Sequence, residues 1–182
     1  MEETKLAARA RAGDTAAYER LVRMHQAVAF RAAYLVTGDA PEAEDATQEA
    51  FIKAYRALDR FRPGAPFRPW LLTIVTNEAR NRRRSAGRRA KLSLQAAAEG
   101  HVVHAPVSPE AAVVAAERRE ELLAIVGELS EDERLVISYR YFLGLSEEET
   151  ATTLGCARGT VKSRASRAIA RLRKAMAREE DA

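Results

Sequence analysis

Apolar residues recur along this chain at spacings of three and four, the periodicity of helices that bury one face. After Asp14, a good N-cap, the positions Tyr18, Leu21, Val22, Val28, Phe30 and Leu35 predict a first helix that breaks in two near His25 and ends by Gly38. Asp39 opens a second helix reaching about Leu58, with Glu42 at its third position and Pro41 in its first turn. Thr47, Ala50, Phe51, Ala54, Tyr55 and Leu58 form the apolar arc of that helix. The segment 59–69, DRFRPGAPFRP, is a Pro/Gly loop with Arg and Phe interleaved. A third helix runs from about Trp70 to Arg84 and turns Leu71, Leu72, Val75 and Ala79 inward. Periodicity fades over 86–107, which reads as a linker.

The pattern resumes at Ser108, an N-cap followed by Pro109, and Val113, Val114, Leu122, Leu123, Ile125 and Val126 mark a helix toward Leu129. Ser130 with Glu133 is a capping box that starts a helix through about Phe142, ended by Gly144. Ser146 with Glu149 is a second capping box, and Gly155 is a natural left-handed stop. The chain restarts near Arg158–Thr160, where Val161, Ala165, Ala168, Ile169 and Leu172 share one arc. No long β-branched alternation occurs, so the fold class is all-α: two small helical domains joined by a flexible linker. The expected boundaries are 5–86, 87–108 and 109–178.

Charge sharpens this picture. The net charge of +4 hides segregation. Residues 80–91 carry Arg80, Arg82, Arg83, Arg84, Arg88, Arg89 and Lys91. Residues 158–174 carry Arg158, Lys162, Arg164, Arg167, Arg171, Arg173 and Lys174, and no acid. Two separated basic blocks suggest two contacts on one polyanion. On the last helix Thr160, Ser163, Ser166 and Arg167 lie opposite the apolar arc, flanked by Lys162 and Arg164. Hydroxyls and a guanidinium suit base edges, and the flanking cations suit phosphates, as in a helix that reads the DNA major groove. The plainer alternative is a solvated basic face on an ordinary amphipathic helix. The capped helix before it, the Gly-ended turn and the missing acids argue for the groove reader.

Two further faces carry chemistry. On the second helix Asp45, Gln48, Glu49, Ile52, Lys53 and Arg56 lie opposite the apolar arc. Asp45 and Glu49 repel unless a cation joins them. An isoleucine beside acids on an outward face fits a protein-binding patch, or is a stray apolar residue on a solvated one. On the third helix Trp70, Ile74, Asn77 and Asn81 share one side, with Arg80 and Arg84 at its edge and Arg62, Phe67 and Arg68 in the loop before it. An aromatic, two amides and cations suit single-stranded or distorted DNA. A Trp packed against the loop is the alternative.

Other chemistries find no support. Cys156 is the only cysteine, so no disulfide forms within the chain. It sits in the turn before the basic helix, where a small apolar residue fits. His25, His101 and His104 are too few for a metal site, and no nucleophile–base pair or phosphate loop is present, so neither a catalytic centre nor a cofactor is expected. With no signal peptide and no apolar run long enough to insert in a bilayer, a cytoplasmic protein is expected.

The runs EDATQEAFIKAYRALDRF (44–61) and FRPWLLTIVTNEARNRRR (67–84) resemble region 2 of bacterial sigma-70 factors. ELSEDERLVISYRYFLGLSEEETATTLGCARGTVKSRASRAIARLRK (128–174) resembles region 4. The short two-region form is similar to the extracytoplasmic-function subgroup. The resemblance implies a subunit that binds core RNA polymerase, recognises bipartite promoter DNA and helps open it. It implies that Asp45, Gln48, Glu49 and Ile52 dock on the β′ clamp helices, with the β subunit as a further contact. It implies that Arg62, Phe67, Arg68, Trp70, Asn77, Arg80, Asn81 and Arg84 melt and read the −10 element. Arg158, Thr160, Lys162, Ser163, Arg164, Ser166, Arg167 and Arg171 would read the −35 element. An anti-sigma factor is an implied partner. An operator-binding helix–turn–helix regulator acting without polymerase is the alternative, but it has no use for the acidic patch or the Trp/Asn face. One departure from the family is Thr150, where an aliphatic residue is usual; a hydroxyl bonded back to its own helix would fit there.

Overall fold

The computed structural model describes residues 2–93 and 129–180, with side chains described for 2–86, 129–175 and 177. The described residues form helices and no strand. The helix expected from Ser108 lies outside them, as does most of the expected linker.

In the first half α1 (Glu2–Arg11), α2 (Thr15–Thr37), α3 (Ala40–Arg56), a short 3-10 turn (Leu58–Arg60) and α4 (Phe67–Ser93) follow one another. Helix α1 is absent from the sequence reading; it buries only Leu6, Ala7 and Ala10, too short a stripe to stand out. Asp14 caps α2 through the Ala17 amide at 3.0 Å, and Asp39 caps α3 through the Glu42 amide at 2.9 Å. Helix α2 does not break near His25. Its span contains no Gly or Pro, and the His25 side chain turns into the core, its ring 5.6 Å from that of Phe67. Helix α4 starts at Phe67 rather than Trp70, because Pro69 falls in the first turn, where a missing N–H costs nothing. It also continues past Arg84 to Ser93.

Much of the core is alanine. Ala29, Ala32 and Ala33 of α2 and Ala43, Ala46, Ala50 and Ala54 of α3 are fully buried, so these helices approach closely around Leu21, Leu71, Leu72 and Val75. Two expected core residues are outside it. Leu35 is 41% exposed and Tyr55 44% exposed, although the Tyr55 ring still lies 4.9 Å from Tyr18.

In the second half α5 (Glu131–Ile137) runs into a wide π turn (Ser138–Phe142), then α6 (Glu147–Leu154) and α7 (Arg158–Glu180). Both expected capping boxes form, Ser130 with Glu133 and Ser146 with Glu149. Gly155 takes φ 64°, and Cys156 and Ala157 complete the turn into α7. Val161 and Ala168, on the inner face of α7, are fully buried.

The two halves share one apolar cluster. Leu135, Val136, Tyr139, Leu143, Leu145 and Val161 join the residues of α1 to α4 in it. Polar bonds cross the same seam. The buried hydroxyls of Thr76 and Tyr139 lie 2.6 Å apart, Thr153 donates to the Pro69 carbonyl at 3.4 Å, and the Arg68 guanidinium donates to the Leu143 carbonyl. Burial pushes the Tyr139 phenol up to about 12, against the opposing pull of the Thr76 hydrogen bond and of Arg80.

Candidate nucleic-acid interface

Helix α7 carries the basic face at the end of the helix–turn–helix. Lys162, Ser163, Ser166 and Arg167 are exposed, while Thr160 is half-buried. The Ser163 hydroxyl donates to the Thr160 carbonyl at 3.1 Å, which leaves its lone pairs outward. Several of the arginines are already paired. Arg164 reaches Asp132 at 2.6 Å, Arg171 reaches Glu133 at 3.0 Å, and Arg158 and Arg167 stand 4.0 Å from Glu147 and Glu133. Glu133 is buried. Burial pushes its carboxyl up, but the Ser130 hydrogen bonds with Arg171 and Arg167 outweigh that and hold it below the ordinary glutamate value.

Helix α4 presents the second face. Asn77, Asn81 and Arg84 are exposed, and Arg62 is exposed in the loop before it. Trp70 is half-buried. Its ring packs on Phe61 at 4.9 Å and Phe67 at 5.4 Å, so the loop holds one side of it. Its surroundings open onto a groove of about 920 Å³ lined by Arg62, Pro66, Thr73, Ile74 and, from α6, Glu148, Glu149 and Thr152. Phe67 is a correction to the sequence reading. At 1% exposure it belongs to the core, between His25 and Phe61, and offers no ring to a base. Arg68 is drawn inward as well: its amide donates to Glu3 at 3.0 Å and its guanidinium to Leu143. Arg80 lies 3.6 Å from Glu131 and 3.4 Å from Asp132.

The acidic face of α3 is a third surface. Asp45, Gln48 and Ile52 are exposed, Ile52 at 46%, and Glu49 is half-buried. The repulsion between Asp45 and Glu49 is relieved by cations the sequence reading did not assign. Arg82 of α4 reaches Asp45 at 2.8 Å and Glu42 at 3.5 Å. Lys53 lies 3.9 Å from Glu49 and also pairs with Glu78. Arg83, counted from the sequence in the basic block offered to a polyanion, bonds Glu131, and the part played by the acids that open α5 was not foreseen. The run Glu131, Asp132, Glu133 was visible as a helix start, but its partners come from segments far away along the chain. Among the described residues no group of His, Cys, Asp or Glu is placed to hold a metal ion.

Comparison with known proteins agrees with this layout. The family model for sigma-70 region 2 matches residues 21–89, and that for sigma-70 region 4 matches residues 119–172. The chain is 36% identical to the RNA polymerase sigma-H factor of Pseudomonas aeruginosa over 96% of its own length and 94% of the relative's. It is 38% identical to the ECF RNA polymerase sigma-E factor of Escherichia coli, over 90% and 88%. Its fold is similar to that of CnrH in complex with the cytosolic domain of CnrY, with a TM-score of 0.71 at 28% identity, covering 97% of each chain. It is also similar to the sigma factor RpoE in complex with the anti-sigma factor NepR from Bartonella quintana, with a TM-score of 0.69 at 28% identity, covering 87% of this chain and 96% of that one.

Proposed function

The chain belongs to the sigma-70 family of RNA polymerase sigma factors, and on that premise we propose how its three surfaces divide the work of promoter recognition. Asp45, Gln48, Glu49 and Ile52 of α3 dock on the polymerase. Arg62, Trp70, Asn77, Arg80, Asn81 and Arg84 engage the −10 element, with the Trp70 groove as the place where an unstacked base is received. Arg158, Thr160, Lys162, Ser163, Arg164, Ser166, Arg167 and Arg171 engage the −35 element. In this reading residues 5–86 and 109–178 are the two working domains and 87–108 connects them.

The observation that carries this reading is chemical. Three exposed faces of different character stand on three helices: acidic with an isoleucine on α3, aromatic–amide–basic on α4, and hydroxyl–basic on α7. A simple operator binder would use only the last. The protein acts by binding rather than by catalysis, and it acts in the cytoplasm, where the polymerase and promoter DNA of this reading are found. The solved complex of RpoE with NepR supports an anti-sigma factor as a partner here too.

In vitro transcription with core RNA polymerase over a promoter library tests the reading. The wild-type chain should direct sequence-specific initiation. Asp45→Arg should abolish association with the polymerase while losing no more than about 1 kcal/mol of stability with the Arg82 pair. Undiminished co-purification of Asp45→Arg with core polymerase would overturn the docking assignment.

A further inference from the structure

We propose that the acidic first turn of α5 stands in for DNA phosphate within the free chain. Glu131 and Asp132 occupy arginines beside both DNA-facing surfaces and hold the two halves in a closed state that duplex DNA has to displace. The proposal rests on the assignment of α4 and α7 as DNA faces.

The contacts converge on two carboxylates. Glu131 lies 3.6 Å from Arg80 and accepts a bond from Arg83, both on α4. Asp132 stands between the halves: one oxygen is 3.4 Å from Arg80 and the other 2.6 Å from Arg164 on α7. The two arginines held by Asp132 are the withdrawn ones, while Arg83 on Glu131 stays 41% exposed. Arg80 and Arg164 are 22% and 23% exposed, whereas Arg167 beside them is 64% exposed.

A carboxylate offers a guanidinium the same paired acceptors as a phosphate, so an arginine bound to one is spent for the other. The rest of the seam reinforces the closure. Thr76 with Tyr139, Arg68 with Leu143 and Thr153 with Pro69 fasten α4 to the second half. Helix α6 then sets Glu148 and Glu149 across the groove from Arg62 and Trp70, where a nucleic-acid strand would enter against like charge. The clasp is releasable because half-exposed ion pairs are individually weak and screened by salt, while a duplex presents many phosphates together. Asp132 serves arginines of both halves, so neutralising this one carboxylate frees Arg80 and Arg164 together.

The double variant E131Q/D132N of the full chain keeps the shape of both side chains and removes their charge. Three measurements are made on it: affinity of the free chain for a duplex bearing the selected promoter, radius of gyration by small-angle scattering, and transcription with core polymerase. If the clasp closes the free chain, the variant binds duplex about tenfold more tightly at low salt, because the competent fraction rises. It is more expanded, its advantage shrinks as salt opens the wild type, and transcription by the assembled polymerase is unchanged. Arg83→Gln removes the Glu131 contact, and with it a 3.5 Å bond to the Val36 carbonyl, while leaving the α5 residues themselves unaltered; it should give a smaller change of the same sign, which guards against a folding defect at the α5 start. Unchanged or weaker binding with unchanged dimensions in both variants, while the wild-type chain transcribes normally, would mean the acids only stabilise the fold. Failure of the underlying assignment looks different: the wild-type chain would give no promoter-specific transcript, and that result would sink both readings.

Discussion

Thr150 illustrates what a single position hides in sequence. A helix-bonded hydroxyl is the natural expectation, and Thr47 and Thr76 do bond back, to Ala43 at 2.7 Å and Leu72 at 2.6 Å. Thr150 does not: it is fully buried and its Oγ1 has no hydrogen-bond partner. A buried, unpaired hydroxyl costs about 1–3 kcal/mol. Thr150→Val should therefore raise stability by about 1 kcal/mol, read as a higher denaturant midpoint at unchanged slope. His25 is a second such residue. Burial lowers its pKa below 6.5, and Arg68 adds to that, while Glu3, whose Oε1 lies 3.1 Å from Nε2, opposes it. The unfolded chain then binds the proton more readily than the folded one. Stability is complete above pH 6.5 and falls as pH drops from there toward the folded pKa. His25→Gln should flatten that acid-side decline in pH-dependent denaturation; an unaltered slope would assign the decline to other groups. Neither the burial of His25 nor its partners were legible, because Glu3, Arg68 and Phe67 meet it only through packing.

At the scale of elements, the caps wrote themselves into the sequence. Asp14, Asp39, Ser130 and Ser146 cap as their spacing to the next polar or acidic residue implies, since a cap bonds only to its own first turn. The helix–turn–helix offers a paired test. Gly155 has φ 64° and Gly159 lies in the first turn of α7, and an added Cβ would touch nothing within 4 Å at either site. Only backbone conformation then separates them. Gly155→Ala should cost about 1–2 kcal/mol through left-handed strain. Gly159→Ala should gain about 0.5 kcal/mol through helix propensity. Equal effects in chemical denaturation would mean that the turn relaxes. Boundaries were less legible. Helix α4 begins earlier and ends later than its pattern suggests, because its ends are set by Pro69 tolerance and a run of good helix formers rather than by an apolar stripe.

At the scale of the molecule, the two halves do not behave as beads on a string. Because one apolar cluster and the Thr76–Tyr139 bond span them, differential scanning calorimetry should show one transition with matching calorimetric and van't Hoff enthalpies; two resolved peaks would contradict the shared core. The sequence by itself determined the helical class, the caps, the Gly155 turn, and which faces of α3, α4 and α7 carry acid, aromatic–amide and basic chemistry. These follow from periodicity and from bonds between residues one turn apart. Tertiary structure alone decided that Phe67 is core and that Trp70 rests on Phe61. It also decided that Arg82 neutralises Asp45, and that Glu131 and Asp132 reach into both basic faces. The charge pairings join residues tens of positions apart, and the Trp70–Phe61 contact is made across a loop. Chain periodicity specifies which side of a helix is polar, but not which distant charge or ring will be packed against it.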